Sequence, residues 1–350
     1  MKNKKRFIPI LLMVFILVAG LAGCGGNNEE PPVDGNGNGN GNGAKPEVRE
    51  FIFAITFDDS GLDREVTQKF KERVSELSDG TMEINLFLAG QLGDTRELIE
   101  LLKMGEIDFT YVGEFGTLYY PEYDAVNMPF LWPSIEVVKE YFDGPIGEKA
   151  KAMAQEKGNA IMLGPVHSFG SRWATSNKPF SNSAELRGIK IRMPNILWWM
   201  EVWQGMGALP TPIAAAEIVA ALQTGVVDAQ ENFLSNIAGR GLYEVQDYAI
   251  ATDHIDMIIA WGASEITWNT LTKEQQDIIV QAAYDAVNYV EPLIETMNQE
   301  FIQVLLDNGM EVIYPDREEL FAAAKPTVER LLKQDLAPEA YEEVIRLLNQ

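Results

Sequence analysis

In the stretch that runs from Phe51-Ile52-Phe53-Ala54-Ile55 to Met82-Glu83-Ile84-Asn85-Leu86, the apolar residues keep three rhythms in turn. Phe51, Phe53 and Ile55 alternate; Val66, Phe70, Val74 and Leu77 recur at intervals of three and four; Met82, Ile84 and Leu86 alternate again. A period of two lines one face of a strand and a period near 3.6 lines one face of a helix, so the order is strand, helix, strand. A second helix is signalled by Asp94 with Glu97 three residues on, a capping-box pair, followed by Leu98, Leu101 and Leu102. Ile107, Phe109 and Tyr111 then alternate. Strands separated by helices predict a parallel α/β sheet.

Working outward, an aromatic, proline-marked loop over 119–133 leads to a helix capped by Ser134 and an apolar strand over 160–166. A second α/β unit opens at 172–176 and continues with a strand over 189–193, a Trp-rich helix and an Ala-rich helix over 214–224. A crossover between units is expected near 168–172, and the apolar run 253–259 resembles a strand rejoining the first sheet. Residues 272–308 read as helical, with Pro292 inside. A proline there removes a hydrogen bond and bends the axis, so this is either one kinked helix of about 50 Å, long enough to span both units, or two helices broken before Pro292.

The opposite end fixes the compartment. Lys2, Lys4, Lys5 and Arg6 precede an apolar run from Phe7 to Ala22 that closes on Leu21-Ala22-Gly23-Cys24. That run is short for a membrane span, and small residues before a cysteine mark a cleavage site, so residues 1–23 read as a signal peptide and Cys24 as a lipidated new N-terminus; a transmembrane anchor is the alternative. Residues 24–49 read as a flexible tether, because the tract from Gly35 to Gly43 alternates glycine and asparagine and cannot bury apolar surface. Asp34, Asn36, Asn38 and Gly39 match half of a calcium loop, but Lys45 stands where its bidentate glutamate belongs. The expected location is extracytoplasmic, held to the membrane through lipid.

Composition narrows the chemistry. The chain of 350 residues carries a formal charge of −24, which excludes nucleic acid as a partner, since phosphate binding needs a cationic surface. Cys24 is the single cysteine, so no intrachain disulfide forms and no thiol is left for catalysis. The two histidines, His167 and His254, fit no metal-ligand spacing. Val166-His167-Ser168-Phe169-Gly170 lacks the first glycine of a nucleophile elbow, and no phosphate-binding glycine loop occurs. The expectation is a binding protein without cofactor or metal, not an enzyme. An acidic protein that takes an acidic ligand must place its positive charge inside a site.

Gly188-Ile189-Lys190-Ile191-Arg192-Met193-Pro194-Asn195 is followed by Gly207-Ala208-Leu209-Pro210-Thr211-Pro212, by Glu217, and by Ala221 to Asn232 with Gln230-Glu231-Asn232 at its end. With Gly90-Gln91-Leu92-Gly93-Asp94, Gly105-Glu106-Ile107-Asp108-Phe109, Tyr120-Pro121-Glu122 and Arg172 before Thr175-Ser176-Asn177-Lys178, these motifs resemble, in order and spacing, the dicarboxylate-binding type of substrate-binding subunit of tripartite ATP-independent periplasmic (TRAP) transporters. The resemblance runs from about Phe51 to the C-terminus. It implies a two-lobed periplasmic-binding-protein-like clam-shell bridged by a long kinked helix, with 50–170 plus about 258–297 in lobe I and 171–257 plus about 298–350 in lobe II. It further implies that a small carboxylate is captured and delivered to the small and large TRAP membrane subunits.

By the same resemblance, Arg192 stands where a two-pronged salt bridge holds the ligand carboxylate, with Arg172 and Asn232 in supporting positions and Thr56, Tyr111, Gly113, Asn195 and Ala215 at further contacts. Guanidinium geometry suits the role, because it meets both carboxylate oxygens where an ammonium cannot. A plain ion pair of Arg192 with a neighbour such as Glu217 is the alternative. Sialic-acid-type members carry phenylalanine where this chain has Ala215 and a carboxylate where it has Gly113, which disfavours that ligand. Trp199 and Trp203 share a helix face and read as core, whereas Trp173 beside Arg172 is the better ligand candidate. His254 is expected in a hinge hydrogen-bond network. A receptor reporting to a membrane kinase and a surface hydrolase are the rival functions.

Overall fold

The computed structural model describes residues 48–57, 61–112 and 121–350; the expected signal peptide, Cys24, the tether and Gly113 lie outside the described residues. β1 (Arg49–Ala54), α1 (Gly61–Leu77) and β2 (Met82–Phe87) form the expected strand–helix–strand unit. β1 and β2 pair in parallel, with Phe51 opposite Ile84 and Phe53 opposite Leu86. Phe51, Phe53, Val66, Phe70, Val74 and Ile84 share one buried cluster, so the two sequence periods meet in a single core. Burial of each such side chain contributes roughly 1.5–3 kcal/mol.

α2 (Thr95–Met104) opens with both halves of the Asp94–Glu97 capping box and ends on Gly105 in the left-handed region, φ 74°. β3 (Phe109–Tyr111) follows. Next come α3 (Ile135–Asp143), α4 (Pro145–Gly158) and β4 (Ala160–His167). The chain then leaves this sheet. β5 (Arg172–Ser176), β6 (Lys190–Met193), α5 (Leu197–Gly205), β7 (Leu209–Pro212), α6 (Ile218–Gln223), β8 (Ala229–Phe233), α7 (Leu234–Gly239) and β9 (Tyr248–Ile250) build a second one. β10 (Ile259–Ser264) returns to the first sheet, and β11 (Glu311–Ile313) adds to the second. The sheet orders are β2-β1-β3-β10-β4 and β11-β9-β5-β8-β6-β7, a two-lobed α/β architecture.

Two local expectations need correction. The run 253–259 is not a strand: β10 begins only at Ile259. Asp253 has φ +40°, which breaks an extended run, and the backbone groups beyond it bond elsewhere, with Ile258 N–H donating to Asn127 Oδ1 at 3.0 Å and Phe130 N–H to the His254 carbonyl at 2.7 Å. The Ala-rich segment is a 3-10 turn (Ala215–Glu217) followed by the short α6, not one helix.

The segment with Pro292 is helical throughout, as α8 (Lys273–Val290), a single 3-10 turn (Glu291–Leu293) and α9 (Ile294–Asp307). The turn absorbs the proline, whose missing N–H would otherwise leave an α-helical carbonyl without its donor. α8 packs on α1 and β4, and α9 packs on α7 and β11, so one helical run touches the elements of both sheets. The first crossover passes close under α9 at Gly170, φ +88°, where a Cβ would collide with Asn298 Nδ2. Asn298 also donates to the Phe169 carbonyl at 3.1 Å. α10 (Arg317–Asp335) packs on α5, and α11 (Pro338–Leu348) reaches α3, where Arg346 Nη2 meets Glu140 Oε1 at 3.0 Å. Among the described residues, no helix is long and apolar enough to cross a membrane.

Candidate functional site

β6 and β8 are parallel neighbours, and β5 runs antiparallel beside β8. The first residue of β5 (Arg172) therefore meets the last residue of β8 (Phe233) at one edge of the sheet, the edge at which β6 also ends. Strand ends of this kind are where clefts open in α/β sheets. Three residues named from sequence, Arg172, Arg192 and Asn232, lie there on adjacent strands.

Register then separates them. Arg192 pairs with Gln230 and Trp173 with Asn232, while Arg172 pairs with Phe233 and Ala174 with Glu231. Paired residues share a face and successive residues alternate, so Arg192, Asn232 and Trp173 leave one face while Arg172 and Glu231 leave the other. The two arginines are not side by side on one surface.

Arg172 is 4 % exposed and forms a two-pronged pair with Glu231, Nε to Oε2 at 2.6 Å and Nη2 to Oε1 at 3.0 Å. Its guanidinium carbon also lies 4.7 Å from the Phe233 ring centre and 5.1 Å from that of Trp199. Glu231 is completely buried. Burial alone would push its carboxyl up, but the Arg172 charge and hydrogen bonds from His254 and Arg172 hold it at about 2. His254 Nε2 stands 3.1 Å from Glu231 Oε2 and Nδ1 stands 2.9 Å from Thr252 Oγ1. Burial lowers the histidine and Glu231 only partly opposes this, so the ring is neutral, donating its Nε2–H to the carboxylate and accepting from the threonine at Nδ1.

Arg192, also 4 % exposed, donates from Nε to the Ile213 carbonyl at 2.8 Å. That bond orients the Nη1–Nη2 edge, the face that matches a carboxylate. Glu217 is exposed at the end of the 3-10 turn that follows β7. Asn232 Oδ1 accepts from Phe233 N–H at 3.0 Å and from Asn236 Nδ2 at 2.9 Å, which fixes its amide with the two N–H donors turned away from those contacts. Trp173 donates from Nε1 to Asp253 Oδ1 at 2.7 Å, so its indole N–H serves the return crossover. Asn195 is exposed just beyond β6. Ala215 opens its 3-10 turn, and its carbonyl takes a bond from Arg240.

Thr56 and Tyr111 belong to the first sheet. Thr56 Oγ1 is 3.4 Å from Thr95 Oγ1. Tyr111 ends β3 with its hydroxyl buried and, among the described residues, without a hydrogen-bond partner. Sequence reasoning misses Glu231 as a site residue, although Gln230-Glu231-Asn232 is among the motif residues; the signal is a carboxylate whose same-face neighbours two residues away in the strand, Ala229 and Phe233, are apolar. It also placed Trp199 in the core alone, whereas the ring covers Arg172. Among the described residues, no group of three or more His, Cys, Asp or Glu could hold a metal.

Two sheets exchanged by two crossovers, a helical run touching both, and arginines fixed at a strand-end edge define a two-lobed solute-binding protein for small acids. The chain belongs to the bacterial extracellular solute-binding proteins of family 7, whose model matches residues 55–335, and it is of the TRAP-transporter solute-binding type. A solute-binding protein of Roseobacter denitrificans is 34% identical over 272 residues, covering 77% of this chain and 83% of its own. The sialic acid-binding periplasmic protein of Vibrio cholerae is 32% identical over 260 residues, covering 73% and 79%. Among solved structures, the TRAP periplasmic solute-binding protein of Roseobacter denitrificans with bound L-galactonate superposes with a TM-score of 0.80 at 30% identity, covering 86% of this chain and 99% of that one. One from Sulfitobacter with bound β-D-galacturonate gives 0.79 at 27% identity, covering 86% and 100%. These relatives are solute-binding proteins, and the family is extracytoplasmic.

Proposed function

We propose that the chain captures a sugar acid between two lobes, with Arg192 holding its carboxylate, and passes it to the small and large membrane subunits of a TRAP permease while Cys24 anchors it to the membrane through lipid. The observation that carries the reading is the Arg192 Nε bond to the Ile213 carbonyl at 2.8 Å, which holds the guanidinium plane at the end of β6 before any ligand arrives. Preorganisation of this kind favours binding because less freedom is lost on contact. Asn232 and Trp173, on the same face, complete the carboxylate side, and Asn195, Ala215 and Thr56 are rim contacts. Arg172 and His254 act differently: paired through Glu231, they brace the edge, and Arg172 Nη1, which takes no part in the Glu231 bonds, is the atom through which Arg172 would support ligand binding from the strand end.

The lobes follow sheet membership, with 50–170 and about 258–297 in one and 171–257 and about 298–350 in the other, α11 leaning back onto the first. Sugar acids are the ligand class because solved relatives hold galactonate and galacturonate. Calorimetry on Arg192→Lys tests the reading. Affinity for the cognate acid should fall by at least about 2 kcal/mol as the two-pronged contact is lost. Unchanged affinity would remove Arg192 from the site.

A further inference from the structure

Phe130 is 4 % exposed and has φ +56°, the left-handed region that glycine adopts freely and a large side chain resists. It follows Pro129 in the turn at 129–131. Proline and then glycine is the ordinary pair in a turn whose second central residue has positive φ, so a phenylalanine stands where the backbone asks for glycine. Strain of this kind persists only where the surroundings hold the residue in place, and it clusters where function needs it.

The stem of Phe130 is fixed on the side of the first sheet. Asn127 exchanges bonds with the Ile258 backbone, accepting at 3.0 Å and donating at 3.3 Å. Trp132 Nε1 donates to the Ala125 carbonyl at 2.7 Å, and the Tyr141 hydroxyl of α3 donates to the Glu122 carbonyl at 3.0 Å. The Phe130 ring is held by the other side. It meets Phe321 of α10 edge-on at 5.3 Å and Trp203 of α5 at 5.9 Å, on two helices that pack together beside the second sheet. The third wall of this socket is the His254 imidazole, 5.8 Å from Phe130 and 5.1 Å from Trp203. Phe130 N–H donates to the His254 carbonyl at 2.7 Å as well. One residue thus holds His254 by its main chain and by its ring.

His254 in turn donates to Glu231, which holds Arg172. The polar and charged groups that face its imidazole are Glu231 on β8, Arg172 on β5, and Thr252 and Asp253 on its own segment. The remaining walls, Phe130 and Trp203, are apolar and keep water away, and burial is the leading cause that lowers the imidazole below its ordinary 6.5.

We propose that Phe130 is a positioning residue for acid capture: through it the segment 121–132 of the first lobe sets His254, and through Glu231 the Arg172 guanidinium, at the strand-end edge of the second. This rests on the reading of that edge as the acid site. The test is imidazole nitrogen NMR on the full chain labelled in its two histidines. Phe130→Ala and Phe130→Gly both remove the ring, but glycine accepts φ +56° freely, so Phe130→Gly should melt roughly 2 °C above Phe130→Ala. In both, the His254 titration midpoint should rise by at least about one pH unit toward that of an ordinary histidine, while His167 on β4 keeps its own. Phe130→Leu, which refills most of the socket, should recover most of the shift. An unmoved His254, or both histidines moving together as in general loosening, overturns the role of Phe130. Because these spectra are read without ligand, they decide independently of Arg192. Calorimetry with L-galactonate reads the consequence, roughly tenfold weaker binding in Phe130→Gly. Unchanged affinity beside a shifted His254 removes Phe130 from acid capture. A wild type that does not bind L-galactonate fails the sugar-acid reading instead and leaves the positioning of His254 to the spectra.

Discussion

The strand-end edges of the two sheets solve opposite problems. On the second, Arg172 and Glu231 bring full charges into the interior and match them at 2.6 Å and 3.0 Å, with a neutral His254 filling the remaining acceptor. On the first, His167 and Tyr111 are kept uncharged by burial. A buried ion needs a partner or it neutralises itself, and the two edges show both outcomes.

The largest way to break this contrast is to make the charged edge fail as the neutral one never could. Glu231→Gln keeps the shape but leaves Arg172 as a buried cation between Trp199 and Phe233. Denaturant unfolding should show a loss of about 3–5 kcal/mol, the usual consequence of removing one member of a buried pair. Replacing both partners, Arg172→Met with Glu231→Leu, should recover most of that stability. If the single change costs under about 1 kcal/mol, Arg172 is solvated in solution and the brace does not exist.

The sequence shows the charged edge far better than the neutral one. Arg192, Arg172 and Asn232 stand in motifs whose residue types announce carboxylate chemistry, and the alternation at 51–55 and 82–86 correctly gives the parallel strands that support the fold. Yet their face assignment depends on register between β5, β8 and β6, strands from distant parts of the chain, and no local period encodes that. Glu231 escaped for the same reason, since its partner is 59 residues away. In the sequence His167 fits neither a metal-ligand spacing nor a nucleophile motif, and nothing local reveals its surroundings, because the bond that sets its tautomer comes from Trp261 on another strand. The run 253–259 misled because apolarity marks burial, and here burial serves a crossover whose backbone is turned by Asp253.

A smaller effect distinguishes the edges by pH. The His167 imidazole, at about 3 in the fold against 6.5 for an ordinary histidine, is neutral when the unfolded chain is already protonated. A depressed group contributes its stability above the unfolded value and loses it as pH falls toward the folded one, so His167 weakens the fold progressively from about pH 6.5 downward. His254 is shifted the same way. Glu231 adds a further acid loss at lower pH, below the ordinary carboxylate range and down toward about 2. Between about pH 6 and about pH 4, His167→Gln should flatten the stability profile by roughly 1.4 kcal/mol per pH unit relative to wild type. Parallel profiles would show that His167 is not held neutral, and the contrast between the edges would collapse.

The smallest effect tests the one neutral member of the charged edge. Thr252 Oγ1 lies 2.9 Å from His254 Nδ1. Since Nε2–H is given to Glu231, Nδ1 must accept, and the threonine hydroxyl is its donor. Thr252→Val preserves the β-branched shape and removes only that donor, so stability should fall by about 1 kcal/mol, the cost of one buried unsatisfied acceptor. The change should leave the pH profile parallel to wild type, because the tautomer keeps its bond to Glu231. A steeper or flatter profile would mean that Thr252 helps set the protonation of His254, and the neutrality that separates imidazole from guanidinium on this edge would then belong to the hydroxyl and not to burial.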